Sequence, residues 1–371
     1  MKILLIGEYS NVHATLAKGL LELGHHVVVV SNGDFWKDYP RDYDVSRKKG
    51  RTGGVMLYAK LIALLPKMRG FDIVQLINPL FFELKAERHY IFYNYLRKHN
   101  KCIIMGAFGM DYYWVHECIK KMPLRYSDFN IGHKLRTDKE AIKYRKDWID
   151  TEKEKLNKYI AQDCDNIIAG LYEYWACYKP VFENKTKFCP YPIITKNTQP
   201  RKFDGILRLF IGINKERSIY KGTDIILKAA EDMKAKYGDR IELNIAESIP
   251  FNDYIKMMNG SDAILDQLYS YTPSMNSLEA MSNGIICIGG GEEENYNIIN
   301  EHELRPIVNT APCYDGVVTA IEYLMDNTNN IDKMKNDSML YIKKHHEYIT
   351  IAKKYIEIYE QSLGNKDNTH Y

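Results

Sequence analysis

The sequence predicts an α/β protein with two domains, each built around a largely parallel β-sheet. Short buried strands alternate with amphipathic helices along the chain, a polar segment near residue 200 interrupts them, and the alternation then begins again. The chain has 371 residues, which is enough for two domains of ordinary size. Its content of 45% hydrophobic and 27% charged residues is typical of a soluble globular protein.

The first half opens with a βαβ unit made of a strand at 2–6, a helix at 14–23 and a strand at 27–31. Parallel strands need such crossover helices, so the sheet is predicted to be largely parallel. The first loop lacks the G-x-G-x-x-G pattern, and we predict no dinucleotide site there. Further helices are predicted at 55–68, 85–99, 138–162 and 171–178, and further strands at 71–77, 101–106, 166–169 and 187–192.

The second half repeats the pattern after a polar linker at 195–204. Strands are predicted at 207–213, 241–246, 262–265 and 285–288, and helices at 223–236, 251–259, 274–283, 316–325 and 330–361. We therefore predict an N-terminal domain over 1–194, a C-terminal domain over 205–345, and a C-terminal helix and tail over 346–371.

Charge and cysteine content argue against several classes of protein. The formal net charge is +3, from 51 basic and 48 acidic residues, so no overall field favours nucleic acid. The seven cysteines are scattered and lack C-x-x-C spacing, which predicts reduced thiols in the cytoplasm. No apolar run has the length of a signal peptide or a transmembrane span. We also predict no bound metal and no cofactor, because no cluster of histidines and carboxylates stands out.

Residues 266–291 organise the second half as strand end, turn, helix, buried strand and glycine turn. Pro273 or Ser274 opens the helix, and Gly284 ends it. In a parallel α/β sheet, such a turn lies at the carboxyl edge and offers backbone N–H groups to an anion. We predict a phosphate site there, formed by the amides of Ser274, Met275, Asn276 and Ser277.

Residues 271–284 resemble the E-x7-E motif of retaining GT-B glycosyltransferases, and Glu279–Gly284 match its second half. The resemblance implies that Glu279 binds the ribose hydroxyls of a nucleotide. Tyr271 stands where the family has its first Glu, the residue that usually meets the donor sugar. For Glu279 the alternative is a surface residue of an amphipathic helix.

A second match involves Gly212 and Lys221–Gly222, which resemble the family pattern G-R-x-n-K-G. In that pattern an Arg and a Lys neutralise the donor diphosphate. Ile213 occupies the usual Arg position, and we expect Arg217 to supply the missing charge, or else to be a solvent-exposed loop cation. The implied donor-binding residues are Gly212, Arg217, Lys221, Tyr271, Ser274, Met275, Asn276, Ser277 and Glu279.

On the acceptor side, Phe108–Asp111 resembles the H-G-x-D sequence of the family, with Phe108 in place of the His. Asp111 is expected either to bind the acceptor hydroxyl or to cap the next segment. The first loop of the family also faces the acceptor, which implicates Glu8 and His13; a capping or exposed histidine is the alternative for His13. The catalytic candidates are Lys221, Glu279 and Asp111.

The resemblance implies the GT-B fold, in which two Rossmann-like domains face each other across a cleft and the C-terminal helix crosses back to the first domain. It implies transfer of a sugar, with retention, from a nucleotide diphosphate sugar to a hydroxyl of a glycan or lipid-linked glycan. Surface polysaccharide or lipopolysaccharide-type biosynthesis is the expected setting. The alternatives are a sugar-nucleotide epimerase on the same fold and a catalytically inactive sugar-nucleotide-binding protein.

Two basic segments predict peripheral contact with the anionic inner face of a membrane. The first is Arg47–Arg51, and the second mixes cations with aromatic residues between Tyr112 and Arg136. Ordinary solvated protein surface is the alternative for both segments.

Overall fold

The computed structural model describes residues 1–195, 199–247 and 249–367 of the chain. Its strands are β1 (Lys2–Ile6), β2 (His26–Ser31), β3 (Tyr43–Asp44), β4 (Ile73–Leu76), β5 (Cys102–Ala107), β6 (Asn130–Ile131), β7 (Lys134–Leu135), β8 (Asn166–Ala169), β9 (Thr186–Phe188), β10 (Leu207–Ile213), β11 (Ile241–Glu247), β12 (Ala263–Leu265), β13 (Ile286–Gly289) and β14 (Val308–Asn309).

The helices are α1 (Val12–Glu22), α2 (Gly50–Leu64), α3 (His89–His99), α4 (Tyr112–Lys120), α5 (Lys139–Trp148), α6 (Glu152–Asp163), α7 (Tyr172–Phe182), α8 (Ser218–Lys221), α9 (Thr223–Tyr237), α10 (Phe251–Asn259), α11 (Met275–Ser282), α12 (Glu293–Ile298), α13 (Tyr314–Asp326), α14 (Ile331–His345) and α15 (Tyr348–Asp367).

The chain divides into two compact units. The first consists of Met1–Pro123, Tyr144–Pro192 and Tyr348–Tyr371, and the second consists of Leu124–Lys143 and Ile193–Glu347. Leu124–Lys143, which falls inside the predicted 1–194 domain, thus groups with the second unit. Three residues of the predicted linker, 196–198, lie outside the described part of the chain.

The first unit is built on a seven-stranded sheet with the order β3-β2-β1-β4-β5-β8-β9, in which all neighbouring strands are parallel. Its central strands are almost entirely buried and apolar, because helices cover both faces of such a sheet. Helix α15 belongs to this unit although the second unit precedes it in the chain. The expected return of the C-terminal helix to the first domain is therefore confirmed.

Helices α1 and α15 pack closely through Gly19. A Cβ atom at this position would lie 2.8 Å from the Tyr348 carbonyl oxygen and 2.9 Å from the Cβ of Ala352. Only a glycine allows this approach of the two backbones.

The second unit is built on a five-stranded parallel sheet with the order β11-β10-β12-β13-β14. Helices α9 and α13 pack on it around a core that includes Leu209, Ile211 and Ile286. The antiparallel pair β6–β7 lies in the inserted segment Leu124–Lys143. The predicted mixed α/β architecture with two parallel sheets is confirmed.

Some predicted elements are wrong in detail. The single helix expected at 138–162 is divided into α5 and α6, because Asp150 has a φ of 58°, a left-handed conformation that a helix does not continue. The helix expected at 330–361 breaks between α14 and α15, where the backbone amide of Ile193 donates to the His346 carbonyl at 2.7 Å. Helix α4 and the two-residue strands β3 and β14 were not predicted.

Within the described residues, no helix is both long enough and apolar enough to cross a membrane.

Candidate functional site

The candidate site lies in the second unit, at the ends of two neighbouring strands. Strands β10 and β12 pair in parallel, so the turn after Ile213 and the loop after Leu265 leave the same edge of the sheet. The amide of Leu268 donates to the Lys221 carbonyl at 3.0 Å and joins the loop to the turn. The carboxyl edge of a parallel sheet is where ligands bind in open α/β folds.

The turn after β10 carries the two predicted cations, Arg217 and Lys221. Lys221 is the last residue of the one-turn helix α8, and Gly222 ends that helix with a φ of 73°. The guanidinium of Arg217 lies 5.2 Å from the ring centroid of Tyr220. Any substitution at Gly222 would strain the backbone and place a Cβ 2.9 Å from the Leu268 side chain. The glycine therefore holds Lys221 close to the neighbouring loop.

The surface above Gly212 is occupied by Tyr254. A Cβ at Gly212 would lie 2.6 Å from the Tyr254 hydroxyl oxygen, and that oxygen accepts a hydrogen bond from the side-chain amide of Asn276 at 2.6 Å. Burial raises the pKa of Tyr254 to about 12. Gly212 thus allows a tyrosine to connect β10 with the first turn of α11.

The N-terminus of α11 is capped by the protein itself. The hydroxyl oxygen of Ser274 accepts from the Ser277 amide at 3.4 Å. The backbone amide and the hydroxyl of Ser274 donate to the two carboxylate oxygens of Asp266 at 2.9 and 3.0 Å. A carboxylate therefore lies at the position predicted for a phosphate, and like charges repel. Of the four backbone amides predicted to bind an anion, those of Ser274 and Ser277 already donate within the protein, and those of Met275 and Asn276 remain as candidates.

Tyr271 is buried and connects the loop to the inserted segment. Its hydroxyl accepts from the backbone amide of Arg125 at 2.6 Å, and its ring lies 4.8 Å from that of Tyr126. The Arg125 guanidinium lies 4.9 Å from the same ring, and burial raises the pKa of Tyr271 to about 12. The residue at the family's first Glu position is thus used for packing in this structure.

The acidic run after Gly291 is paired within the second unit. Arg125 forms ion pairs with Glu292 and Glu294, and the Tyr126 hydroxyl donates to Glu292 at 2.6 Å. Glu293 pairs with Arg305. The described residues contain no group of three or more His, Cys, Asp or Glu side chains that could hold a metal ion.

Arg136 is a buried cation that the sequence analysis missed as part of the site. Its guanidinium lies 3.7 Å from the ring centroid of Tyr269 and 5.6 Å from that of Tyr220. It donates to the Ile219 carbonyl at 2.9 Å and pairs with Asp138 at 3.1 Å. Arg136 therefore contacts both the turn that carries Lys221 and the loop that carries Tyr271.

The same observations take several side chains out of the basic and aromatic surface expected between Tyr112 and Arg136, although Lys120, Lys121 and Lys134 are exposed. The side chains of Tyr113, Trp114, Phe129 and Arg136 are buried. The sequence signal that could have predicted the burial of Arg136 is the presence of aromatic residues near arginines, since a planar guanidinium stacks on aromatic rings. Apart from Asp138, the partners of Arg136 named here lie 83 or more residues further along the chain, and the sequence does not show which rings it meets.

Glu279 lies one turn into α11 and is half-buried. Its carbonyl oxygen accepts from the Ser282 hydroxyl at 2.7 Å and from the Asn283 side-chain amide at 2.9 Å. The segments that leave the same edge of the sheet, after β10 and β12, carry Lys221, Tyr271 and the first turn of α11. The structure thus gathers the predicted donor residues in one unit.

In the first unit, Glu8 and His13 lie in the interior at the start of α1. The imidazole of His13 is fully buried; Nδ1 donates to the Gly7 carbonyl at 2.8 Å and Nε2 accepts from the Gln75 amide at 3.0 Å, the tautomer that these partners require. Gln75 in turn accepts from the Tyr359 hydroxyl at 2.7 Å. Burial lowers the pKa of His13 to about 3. His13 thus supports the packing of α15.

The Glu8 carboxylate accepts from the backbone amides of Ala14 and His13 at 2.8 and 3.3 Å. Burial raises its pKa to about 8. Glu8 therefore takes the place of a helix cap at the N-terminus of α1.

Asp111 caps helix α4, as one of the two sequence interpretations expected. One carboxylate oxygen accepts from the Trp114 amide at 2.8 Å, and the other accepts from the Tyr178 hydroxyl at 2.8 Å. The residue is fully buried, and burial raises its pKa to about 7. Phe108 packs edge-on against the rings of His13 and Tyr191.

No protein-family model and no curated protein matches the chain, but solved structures match nearly all of it. Sucrose-phosphate synthase from Thermosynechococcus elongatus matches with a TM-score of 0.64 and 12% identity over 98% of this chain and 100% of that one. Anabaena HepE in complex with UDP and glucose matches with a TM-score of 0.61 and 12% sequence identity, over 96% of this chain and 99% of that one. S. aureus MnaA in complex with UDP matches with a TM-score of 0.54 and 14% sequence identity, over 96% of this chain and 95% of that one. The chain has the fold of the GT-B glycosyltransferases.

We expect Asp111→Asn to gain stability relative to the parent protein as the pH rises. Asparagine keeps the helix cap. The parent carboxyl has a folded pKa of about 7 against an ordinary value of 3.8, so its ionisation opposes folding across that window. The difference in unfolding free energy should grow by at most about 1.4 kcal/mol per pH unit. Urea unfolding at successive pH values measures it. The exposed Asp239→Asn is the control, and a pH-independent difference for both variants would contradict the assignment.

Arg136→Met should lower the unfolding free energy by about 3–5 kcal/mol, because it leaves Asp138 buried without its cation. Adding Asp138→Asn should recover part of this loss, since the buried charge is then removed as well. Urea unfolding of the single and double variants checks both statements. Arg305→Met removes a surface ion pair from the same unit and should cost at most about 1 kcal/mol. Equal losses for Arg136→Met and Arg305→Met would show that the Arg136 pair is not a buried one.

Proposed function

We propose that the protein is a glycosyltransferase that moves a sugar from a nucleotide diphosphate sugar to a hydroxyl of a glycan or lipid-linked glycan. The observation that carries the proposal is the joined pair of segments at one edge of the second sheet, with Lys221 and Arg217 in one segment and Tyr271 and Ser274 in the other. The similarity in fold to HepE and MnaA, whose structures contain UDP, supports a nucleotide sugar as the donor.

Lys221 and Arg217 are the groups that we assign to the diphosphate. The leaving diphosphate gains negative charge in the transition state, and positioned cations stabilise it. Because Asp266 lies at the N-terminus of α11, the phosphates are expected closer to the α8 turn than to Ser274. Glu279 is assigned to the ribose hydroxyls through its resemblance to the second Glu of the family motif. These cations take the role that a divalent metal plays elsewhere, so we propose that no metal and no cofactor is needed.

For the acceptor side we propose no catalytic role for an individual residue. Asp111 is buried with both carboxylate oxygens in hydrogen bonds, and His13 and Glu8 are interior groups, so we name no general base among them. Retention of configuration and a place in surface polysaccharide or lipopolysaccharide-type biosynthesis follow from the family resemblance. A lipid-linked acceptor would bring the protein to the inner face of a membrane as a peripheral cytoplasmic protein.

A sugar-nucleotide-binding protein without transferase activity is the second candidate. Tyr271 and Arg125 favour it, because the loop that would meet the donor sugar is packed against the inserted segment. A sugar-nucleotide epimerase on the same fold is the third, and it differs from a transferase in needing no acceptor.

The proposal is tested by incubating purified protein with UDP-, GDP- and ADP-glucose, with and without glycan acceptors and with EDTA. A transferase releases the nucleoside diphosphate and forms a glycoside only with an acceptor, and it does so in EDTA. Binding shown by a thermal shift without any turnover would identify the inactive binding protein. Conversion of the sugar without an acceptor would identify an epimerase. Loss of activity in EDTA that manganese or magnesium restores would contradict the metal-free assignment.

Lys221→Ala should lower both donor affinity and the turnover number, because its charge matters most as the diphosphate leaves. Glu279→Gln should mainly weaken donor binding, by roughly 1.5–3 kcal/mol, since a charged acceptor becomes a neutral one. Steady-state kinetics separate the two effects. Lys215→Ala is the matched control, because Lys215 is an exposed lysine of the same turn. If Lys221→Ala and Glu279→Gln both behave like Lys215→Ala, the donor site lies elsewhere.

A further inference from the structure

Residues 45–71 of the first unit have an unbalanced charge. The segment contains seven cations and not one Asp or Glu, although the whole chain has 51 basic and 48 acidic residues. All seven cations are exposed: Arg47, Lys48, Lys49, Arg51, Lys60, Lys67 and Arg69. The segment is therefore a local positive surface on a nearly neutral protein.

The helix within this segment, α2, is apolar on two faces. Leu57 and Leu61 are buried against the unit. Val55 and Met56 are 66% and 57% exposed, and Ile62 is 39% exposed. Residues 55 and 56 fall on the same helical face as 59, 62 and 63, and Ala59 and Ala63 are exposed as well. Solvent thus meets a continuous apolar stripe, which in a soluble protein marks an interaction site.

The loop before α2 is joined to a second loop that exposes aromatic residues. The Ser46 hydroxyl donates to the Asn32 carbonyl at 3.3 Å, which holds the loop before α2 against the loop after β2. That second loop exposes Phe35 and Trp36 by 63% and 65%. Aromatic side chains of this kind favour the boundary between lipid and water.

We propose that this surface docks on an anionic lipid bilayer, with α2 lying in the plane of the membrane. We call it the α2 surface, and define it by Val55, Met56, Ala59, Ile62, Ala63 and the seven cations. An apolar stripe bordered by Lys and Arg is the pattern of helices that lie in the interface. The stripe enters the headgroup region, and the cations meet the negative lipid headgroups.

A second copy of the chain fits this surface less well. A two-fold symmetric contact through α2 would bring the same seven cations of both copies together without a carboxylate from the segment. Like charges so close repel. Nucleic acid would satisfy the cations but would leave the apolar stripe in water. The bilayer is the occupant that satisfies both parts.

The inference deepens the proposed function by naming the membrane surface on which a lipid-linked acceptor would lie, and it rests on that function for the acceptor alone. Binding to the bilayer itself requires no sugar transfer.

The test is co-sedimentation of the full-length protein with vesicles of phosphatidylcholine, with and without phosphatidylglycerol. The parent should bind only the anionic vesicles and should lose binding as salt is added. Lys48→Glu with Lys49→Glu should lower partitioning by at least about tenfold, since each cation near anionic lipid contributes about fivefold. Val55→Gln with Met56→Gln should also lower it, because these side chains enter the lipid.

The matched control is Lys120→Glu with Lys121→Glu, an exposed lysine pair of the same unit, in and after α4. It should leave partitioning within about twofold of the parent. An equal loss with this control would mean that overall charge, and not the α2 surface, binds lipid, and would overturn the proposal. Failure of the parent to bind anionic vesicles would do the same. So would lipid-free self-association that Val55→Gln with Met56→Gln abolishes.

A donor thermal shift on the same samples separates the two proposals. A parent protein that binds vesicles but no nucleotide sugar upholds the α2 surface and overturns the proposed function. A parent protein that binds a nucleotide sugar but no vesicles upholds the proposed donor site and overturns the α2 surface.

Discussion

The second unit depends on one buried cation, the guanidinium of Arg136. Removing an arginine from water costs several kcal/mol unless its charge finds partners. Here the partners are the Asp138 carboxylate, the Ile219 carbonyl and the faces of Tyr269 and Tyr220. Because these partners belong to three separate segments, one side chain holds the inserted segment, the α8 turn and the loop after β12 together. A lysine would supply the charge without the planar contacts.

This arrangement determines which groups of the site are available for a ligand. Arg125 and Tyr126 contact Tyr271 and the carboxylates of Glu292 and Glu294, so the part of the loop nearest the inserted segment is packed. The α8 turn carries two cations, Arg217 and Lys221, and the Asp266 carboxylate lies at the start of α11. Cations in one segment and a carboxylate in the other are the reason that we propose the donor diphosphate beside Lys221.

Much of the architecture was predictable from the sequence, because hydrophobic periodicity and glycine positions are local signals. The buried strands of both sheets, the start of α11 at Ser274 and its end before Gly284 belong to this class. The two-residue strands β3 and β14 were not predictable, since two residues carry no periodicity. The break at Asp150 depends on one left-handed residue inside a charged helical pattern. The burial of His13 and the stacking of Arg136 depend on residues far along the chain, at Tyr359 and Tyr269, which local patterns do not reveal.

The central claim is that the second unit binds a nucleotide diphosphate between the α8 turn and the start of α11. Hydrogen-exchange mass spectrometry of the full-length protein with and without saturating UDP tests it most directly, because bound ligand slows the opening of the amides that it contacts. The account predicts slower exchange at residues 214–223 and 266–277. Protection confined to the first unit, or unchanged exchange in both segments while UDP raises the melting temperature, would contradict it.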